Sequence, residues 1–195
     1  MNQQPIIIGH IQQELPAVIE KCPHDKLFVL TDEHTHTWCW PLIHHLEVMA
    51  KTQVICIGSG DASKNLESLS AVWKALGDGG ASRHSLMIHI GGGMVTDLGG
   101  FAASTFKRGI TFINIPTTLL AMVDASVGGK TGINFNGLKN EVGVFSPAHS
   151  VLIDTVFLKT LDNPNLLSGY AEMLKHGLIN TTEHWAELLT FDWDC

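Results

Sequence analysis

Positive charge is scarce in this chain of 195 residues. Its 12 lysines and arginines are outnumbered by 19 aspartates and glutamates, for a formal net charge of −7. A surface of that sign offers no electrostatic footprint to nucleic acid or to an anionic lipid face, so neither partner is expected. A small phosphorylated ligand stays open, provided the few cations converge locally. Long hydrophobic runs are lacking as well. No stretch approaches the ~20 apolar residues of a membrane-crossing helix, and the opening MNQQPIIIGH has no basic region ahead of its short apolar run, as a secretory signal requires. Cysteine is sparse, and Cys22, Cys39, Cys56 and Cys195 show no C-x-x-C spacing. They read as reduced thiols in a soluble, cytoplasmic protein. Repeats and low-complexity linkers are also missing.

What remains is ordinary globular material, 45% hydrophobic and 16% charged, with 19 glycines. Short apolar runs rich in β-branched residues punctuate the first 154 positions: Lys26–Leu30, Val54–Ile57, Ser85–Ile90, Ile110–Ile115 and Val151–Ile153. Helical spacing fills gaps between them, over Ala62–Leu76, Met94–Thr105 and Thr117–Val123. Strands that are apolar without alternation, separated by helices, predict an α/β fold with a Rossmann-like parallel sheet covered on both faces. Ligands of such sheets sit at the carboxyl ends of the strands, where this sequence places small and polar residues. Beyond Asp154 the strands stop. Leu158–Leu161, Leu166–Leu178 and Glu183–Leu189 read as successive helices, so 1–154 is expected to be a nucleotide-binding α/β domain and 155–195 the incomplete opening of a helical one, in a chain that stops short.

Gly91-Gly92-Gly93 follows a strand and opens a helix, a place where backbone N–H groups and the helix dipole suit a pyrophosphate. The G-x-G-x-x-G fingerprint is broken by Thr96, and a glycine-rich turn on its own is equally a tight connection. Lys130 after two glycines reads as an anion-binding or a merely solvated lysine. Glu172 and Lys175 share a helix face and could be a plain surface ion pair. Asp124 could cap a helix, and Thr117-Thr118 after Pro116 could simply start one. His34-x-His36-x-x-Cys39 and His44-His45 invite a metal reading. Converging on a tetrahedral ion from one helical turn is awkward, and ordinary histidines are the expectation, with His34 beside the cofactor cleft.

Taken in order, Gly91–Ala103 (GGGMVTDLGGFAA), Arg108-Gly109, Pro116–Ala121 (PTTLLA), Asp124–Asn134 (DASVGGKTGIN), Lys139-Asn140 and Gly169–Gly177 (GYAEMLKHG) resemble the 3-dehydroquinate synthases, which belong to the sugar-phosphate cyclases. The similarity runs from about Gly58 to Gly177; the first 57 residues match only loosely, at the Thr31-Asp32 strand end.

The resemblance implies a phosphorus-oxygen lyase of the shikimate pathway of aromatic amino acid biosynthesis. It converts 3-deoxy-D-arabino-heptulosonate 7-phosphate to 3-dehydroquinate and phosphate, using NAD and a divalent metal, zinc or cobalt. It also implies a homodimer. For NAD it implies Asp32, Asp61, Lys64, Gly93, Met94, Val95, Thr96, Asp97, Thr117, Thr118, Lys130, Lys139 and the run Phe157, Leu158, Lys159, Thr160. Lys130, Lys175, Asn140 and Asp124 would meet the substrate, Arg108 would serve its phosphate from across the dimer, and Glu172 would be one metal ligand. Further ligands would have to come from beyond Cys195, so the fragment alone is expected to be inactive. Three positions depart from the family pattern: Asp61 replaces the usual Glu, Thr96 a glycine at the pyrophosphate, and Leu138 a glycine before Lys139-Asn140. Rival readings are a cyclase acting on another sugar phosphate, a metal-dependent alcohol dehydrogenase, and a nucleotide-binding module without catalysis.

Overall fold

The computed structural model describes residues 4–190, which leaves Cys195 outside the described residues. Six parallel strands, β1 (Ile6–Ile8), β2 (Leu27–Asp32), β3 (Gln53–Ile57), β4 (Leu86–Gly91), β5 (Thr111–Pro116) and a strand at Ser150–Ile153, form one sheet. Two others, β6 (Lys130–Phe135) and β7 (Leu138–Phe145), make an antiparallel hairpin, so the Ser150–Ile153 strand is β8. The sheet order is β1-β8-β5-β4-β2-β3. The α/β class and the parallel Rossmann-like sheet are therefore as the apolar runs required.

Alternation along each strand divides the core in two. Leu27, Val29, Ile88, Ile90, Ile113 and Leu152 face helix α1 (Ile11–Glu20) and the turns after helix α2 (Glu33–Trp38). Phe28, Leu30, Met87 and Phe112 face the helices α3 (Leu66–Asp78) and α4 (Gly93–Thr105). Burying both faces is what removes polar residues from the strands. The chain leaves β2 toward β3 on one side and leaves β4 toward β5 on the other. The reversal opens a crevice outside the carboxyl ends of β2 and β4.

Several boundaries move for local reasons. Helix α3 begins at Leu66, not Ala62, because the Asn65 side chain accepts from the Ser68 N–H and caps it there. No regular helix covers Thr117–Val123. Thr117 and Thr118 are irregular, and the chain then widens into a π-helical turn, Ala121–Ala125, closed by Ser126 N–H to the Ala121 carbonyl. The helix expected at Leu158–Leu161 is a 3₁₀ segment, Thr155–Thr160, capped by Asp154, whose other oxygen accepts from the Ile11 N–H at 2.7 Å. Helices α5 (Asn163–Ile179) and α6 (Thr182–Leu189) follow without an intervening strand. Among the described residues no helix is long and apolar enough to cross a membrane.

Candidate active site at the carboxyl edge of the sheet

A cleft of about 1150 Å³ opens at the crevice, larger than the ~300–1,000 Å³ typical of small-molecule sites. Asp32 from the end of β2, Ser59 to Asp61 after β3, Gly92 to Met94 after β4, and Thr117 and Thr118 after β5 form its floor. The hairpin supplies Lys130, Lys139 and Asn140, and the π turn supplies Asp124. Thr160 lines it as well. Helix α4 starts here with Gly92 as its N-cap and no side chain bonded to its first N–H groups, so those donors are free for an anion.

Glycine sets how closely α4 lies on the sheet. A Cβ on Gly99 would stand 2.8 Å from His89 Nε2 and from Leu30 Cδ2. His89 is fully buried, and its Nδ1 lies 2.9 Å from Asn114 Oδ1. Burial pushes its pKa down to about 4, so the ring is neutral and Nδ1 carries the proton that Asn114 accepts.

Lys64, 5% exposed, reaches the cleft wall and gives its ammonium to Asp97 Oδ2 at 2.5 Å and to Asn140 Oδ1. Burial outweighs this pairing and holds the Asp97 carboxyl above its ordinary range. Lys139 sits 3.0 Å from Asp61, whose carboxyl is lowered chiefly by that hydrogen bond. Lys130 opens β6 with its side chain 60% exposed, 3.7 Å from Asp124.

Opposite the π turn, α5 packs so tightly that a Cβ on Gly169 would stand 2.6 Å from the Leu120 nitrogen. That contact carries Glu172 and His176 toward Asp124. His176 Nε2 is 3.3 Å from Glu172 Oε1 and 3.9 Å from Asp124 Oδ1. One ligand atom from each of the three lies within 4.8 Å of the others. A pair of carboxylates with an imidazole is a donor set that suits zinc and its neighbours in the transition series. Lys175 also bonds the Glu172 oxygen, and that bond is the first cause of the lowered Glu172 carboxyl and the raised Lys175 ammonium.

Most residues singled out in the sequence meet here, though not all. Val95 and Phe157 are wholly buried in the core, and Leu158 and Lys159 do not line the cleft. Thr96 does not crowd the helix N-terminus: it is 2% exposed, and its hydroxyl turns back to donate to the carbonyls of Gly92 and Gly93. Arg108 is exposed beyond the far end of α4, which at 1.5 Å per residue is about 20 Å from the cleft of its own chain. His34 lines the cleft, while Cys39 is buried with its thiol 3.6 Å from the Thr160 hydroxyl. His176 and Asn134 had escaped sequence reasoning. The signal for His176 was present, since it stands one helical turn after Glu172 on the same face.

A family model described as the N-terminal part of 3-dehydroquinate synthase matches residues 54–168. The 3-dehydroquinate synthase of Parabacteroides distasonis is 52% identical over all 195 residues, which cover 55% of that protein. Thus the chain spans about half the length of the curated relatives it matches. Among solved structures, the 2-epi-5-epi-valiolone synthase of Streptomyces hygroscopicus subsp. jinggangensis 5008, with NAD+ and Zn2+ bound, is 31% identical. It superposes with a TM-score of 0.83 over 94% of this chain and 51% of that one. A 2-deoxy-scyllo-inosose synthase complexed with carbaglucose-6-phosphate, NAD+ and Co2+ is 25% identical, with a TM-score of 0.81 over 89% of this chain and 48% of that one. Sequence match and fold agree, and the chain belongs to the 3-dehydroquinate synthase family.

Proposed function

We propose that this chain supplies the nucleotide-binding side of a 3-dehydroquinate synthase, which converts 3-deoxy-D-arabino-heptulosonate 7-phosphate to 3-dehydroquinate and phosphate with NAD and zinc or cobalt. One observation carries the reading. A single cleft gathers an uncapped helix N-terminus, Lys130, Lys139 and Asn140, and it borders a cluster of metal-type donors at Asp124, Glu172 and His176.

When bound, NAD supplies a reversible hydride acceptor, and the divalent ion a Lewis acid that lowers the pKa of a coordinated hydroxyl. Everything else falls to the protein. The first turn of α4, with Thr117 and Thr118 opposite, would hold the pyrophosphate, and Asp32 and Asp61 the ribose hydroxyls. Glu172 would hold the metal, with Asp124 and His176 beside it. Lys130, Lys139 and Lys175 are cations that face the cleft or its metal end, and they would fix the phosphate and carboxylate of a substrate while it closes its ring. Arg108 would serve a neighbouring copy in a homodimer. Residues 1–154 would form the nucleotide domain and 155–195 part of a helical one. Because the relatives are nearly twice as long, turnover is proposed for the whole cytoplasmic protein, and the 195 residues alone are proposed to be inactive.

Phosphate release by the whole protein with NAD and zinc, measured on the seven-carbon substrate and on other sugar phosphates, tests the reading. Turnover of another sugar phosphate alone would replace it with a sister cyclase. Tight NAD binding with no phosphate release from any of them would leave a nucleotide-binding module.

A further inference from the structure

Asn134 does not line the cleft, yet it ties the cleft's two walls together. Its backbone N–H donates to the Lys64 carbonyl at 2.8 Å. The side-chain NH₂ donates to the Asp61 carbonyl and to Asp61 Oδ2, each at 3.3 Å, and Oδ1 accepts from the Asn140 N–H at 3.0 Å. The register of the hairpin explains the last bond. Ile133 pairs with Val142 and Phe135 with Leu138, so Lys139, Asn140 and Glu141 all stand opposite Asn134 alone. Such a bulge re-aims side chains and strips N–H groups of their ladder partners. Asn140 sits at its crest with φ 54°, a left-handed conformation that Asn tolerates better than most residues. The Asn134 oxygen takes the place of the missing partner.

We propose that Asn134 is a positioning residue for the reaction. It holds the bulge that presents Asn140 to the substrate and, through the same amide, the Asp61–Lys64 loop that would meet the nucleotide. The inference rests on the function proposed above. Lys64 and Lys139 also link these segments, through Asn140 Oδ1 and Asp61 Oδ2, but each belongs to one of them, whereas the Asn134 amide bonds both from outside. Leu or Val at 134 could pack in a strand equally well but could neither donate to one wall nor accept from the other.

The two halves of the amide can be separated. Asn134→Asp keeps an acceptor for the Asn140 N–H but loses both donors and sets a carboxylate against Asp61. In the whole protein this variant is expected to weaken NAD binding about fivefold or more, the scale of a lost hydrogen bond, with KM for the sugar phosphate at saturating NAD within about twofold of wild type. Asn134→Ala loses both halves, and both constants should worsen by at least about fivefold. Added to Asn140→Ala, it should leave that variant's KM nearly unchanged, because residues acting through one another are not additive. Two results overturn the proposal: wild-type NAD binding and KM in Asn134→Ala, or identical losses in both variants that track a fall in Tm and add fully to Asn140→Ala. Wild-type protein that neither binds NAD nor releases phosphate would sink the functional reading, and this inference with it. Normal wild-type turnover beside unaffected variants would sink this inference alone.

Discussion

The Lys64 ammonium and the Asp97 carboxylate lie 2.5 Å apart, with side chains only 7% and 19% exposed. Each charge makes the other tolerable in a wall that excludes most water. Removing one partner strands the second, and a broken buried pair typically costs about 3–5 kcal/mol. Lys64→Met should approach the low end of that range near neutral pH. The sign of its pH dependence follows from Asp97, whose carboxyl is already raised by burial. Without Lys64 it rises further, so the folded state holds a proton that the unfolded chain gives up. Stability of the variant then falls as pH rises through the folded pKa, and its deficit against wild type grows. Urea unfolding at pH 5 and pH 8 checks this; an equal deficit at both would show that Asp97 does not carry the effect.

His89 makes the opposite kind of prediction. Its folded pKa of about 4 lies below the 6.5 of a free imidazole. The unfolded chain therefore takes up the proton first. The contribution is intact above pH 6.5 and is lost as pH falls from there to 4. At about 1.4 kcal/mol per pKa unit this amounts to about 3 kcal/mol. In His89→Leu that part of the acid slope should vanish, although the variant is less stable at pH 7 because Asn114 loses its donor. Matching acid slopes for variant and wild type would mean that His89 takes up its proton as readily in the folded protein as in the unfolded chain.

Much of the fold was legible because the buried strands leave no choice. Leu27–Leu30, Leu86–Ile90 and Phe112–Ile115 are buried on both faces, so their apolar runs are continuous. Strand β1 was not legible: three isoleucines at the sheet edge, two of them exposed, carry no period. The hairpin was hidden for the same reason, since every residue of β7 is exposed and no alternation marks it. For the site, the glycine-rich turn and the Lys130, Lys139 and Asn140 positions were read from order and spacing. Spacing could not show that Lys64 turns to Asp97 and Asn140, or that Thr96 folds back onto its own helix. The Lys64 bonds span 33 and 76 positions of chain, while the turn of the Thr96 hydroxyl to Gly92 and Gly93 is a side-chain rotamer within one helical turn.

Glu172 tests the metal end of the cleft. Glu172→Gln keeps the shape of the side chain and removes the charge that a divalent ion would use. Its oxygen now bonds Lys175 and lies near His176 in a partly open position, so an exposed pair of this kind contributes only ~0–1 kcal/mol to folding. Thermal unfolding should therefore change little, while bound zinc in the whole protein, measured by elemental analysis after dialysis, should drop sharply. Retention of wild-type zinc would make Glu172 a surface ion-pair residue.

Lys130 gives the sharpest separation between chemistry and folding. Its side chain is 60% exposed at the start of β6 and 3.7 Å from Asp124, so it is neither packed in the core nor tightly paired. Folding should barely notice its loss, and Lys130→Met is expected to shift stability by no more than about 0.5 kcal/mol. Turnover is another matter if the ammonium meets developing negative charge on substrate or cofactor, where one preorganised donor is worth roughly 10²–10³ in rate. In the whole protein kcat/KM should fall by that order. An arginine should not restore it, because a planar guanidinium cannot place a point charge at the same spot. Steady-state phosphate release beside a melting curve reads both arms at once. Activity within about twofold of wild type, at unchanged Tm, would leave Lys130 a solvated surface lysine of the kind expected to be nearly neutral on substitution.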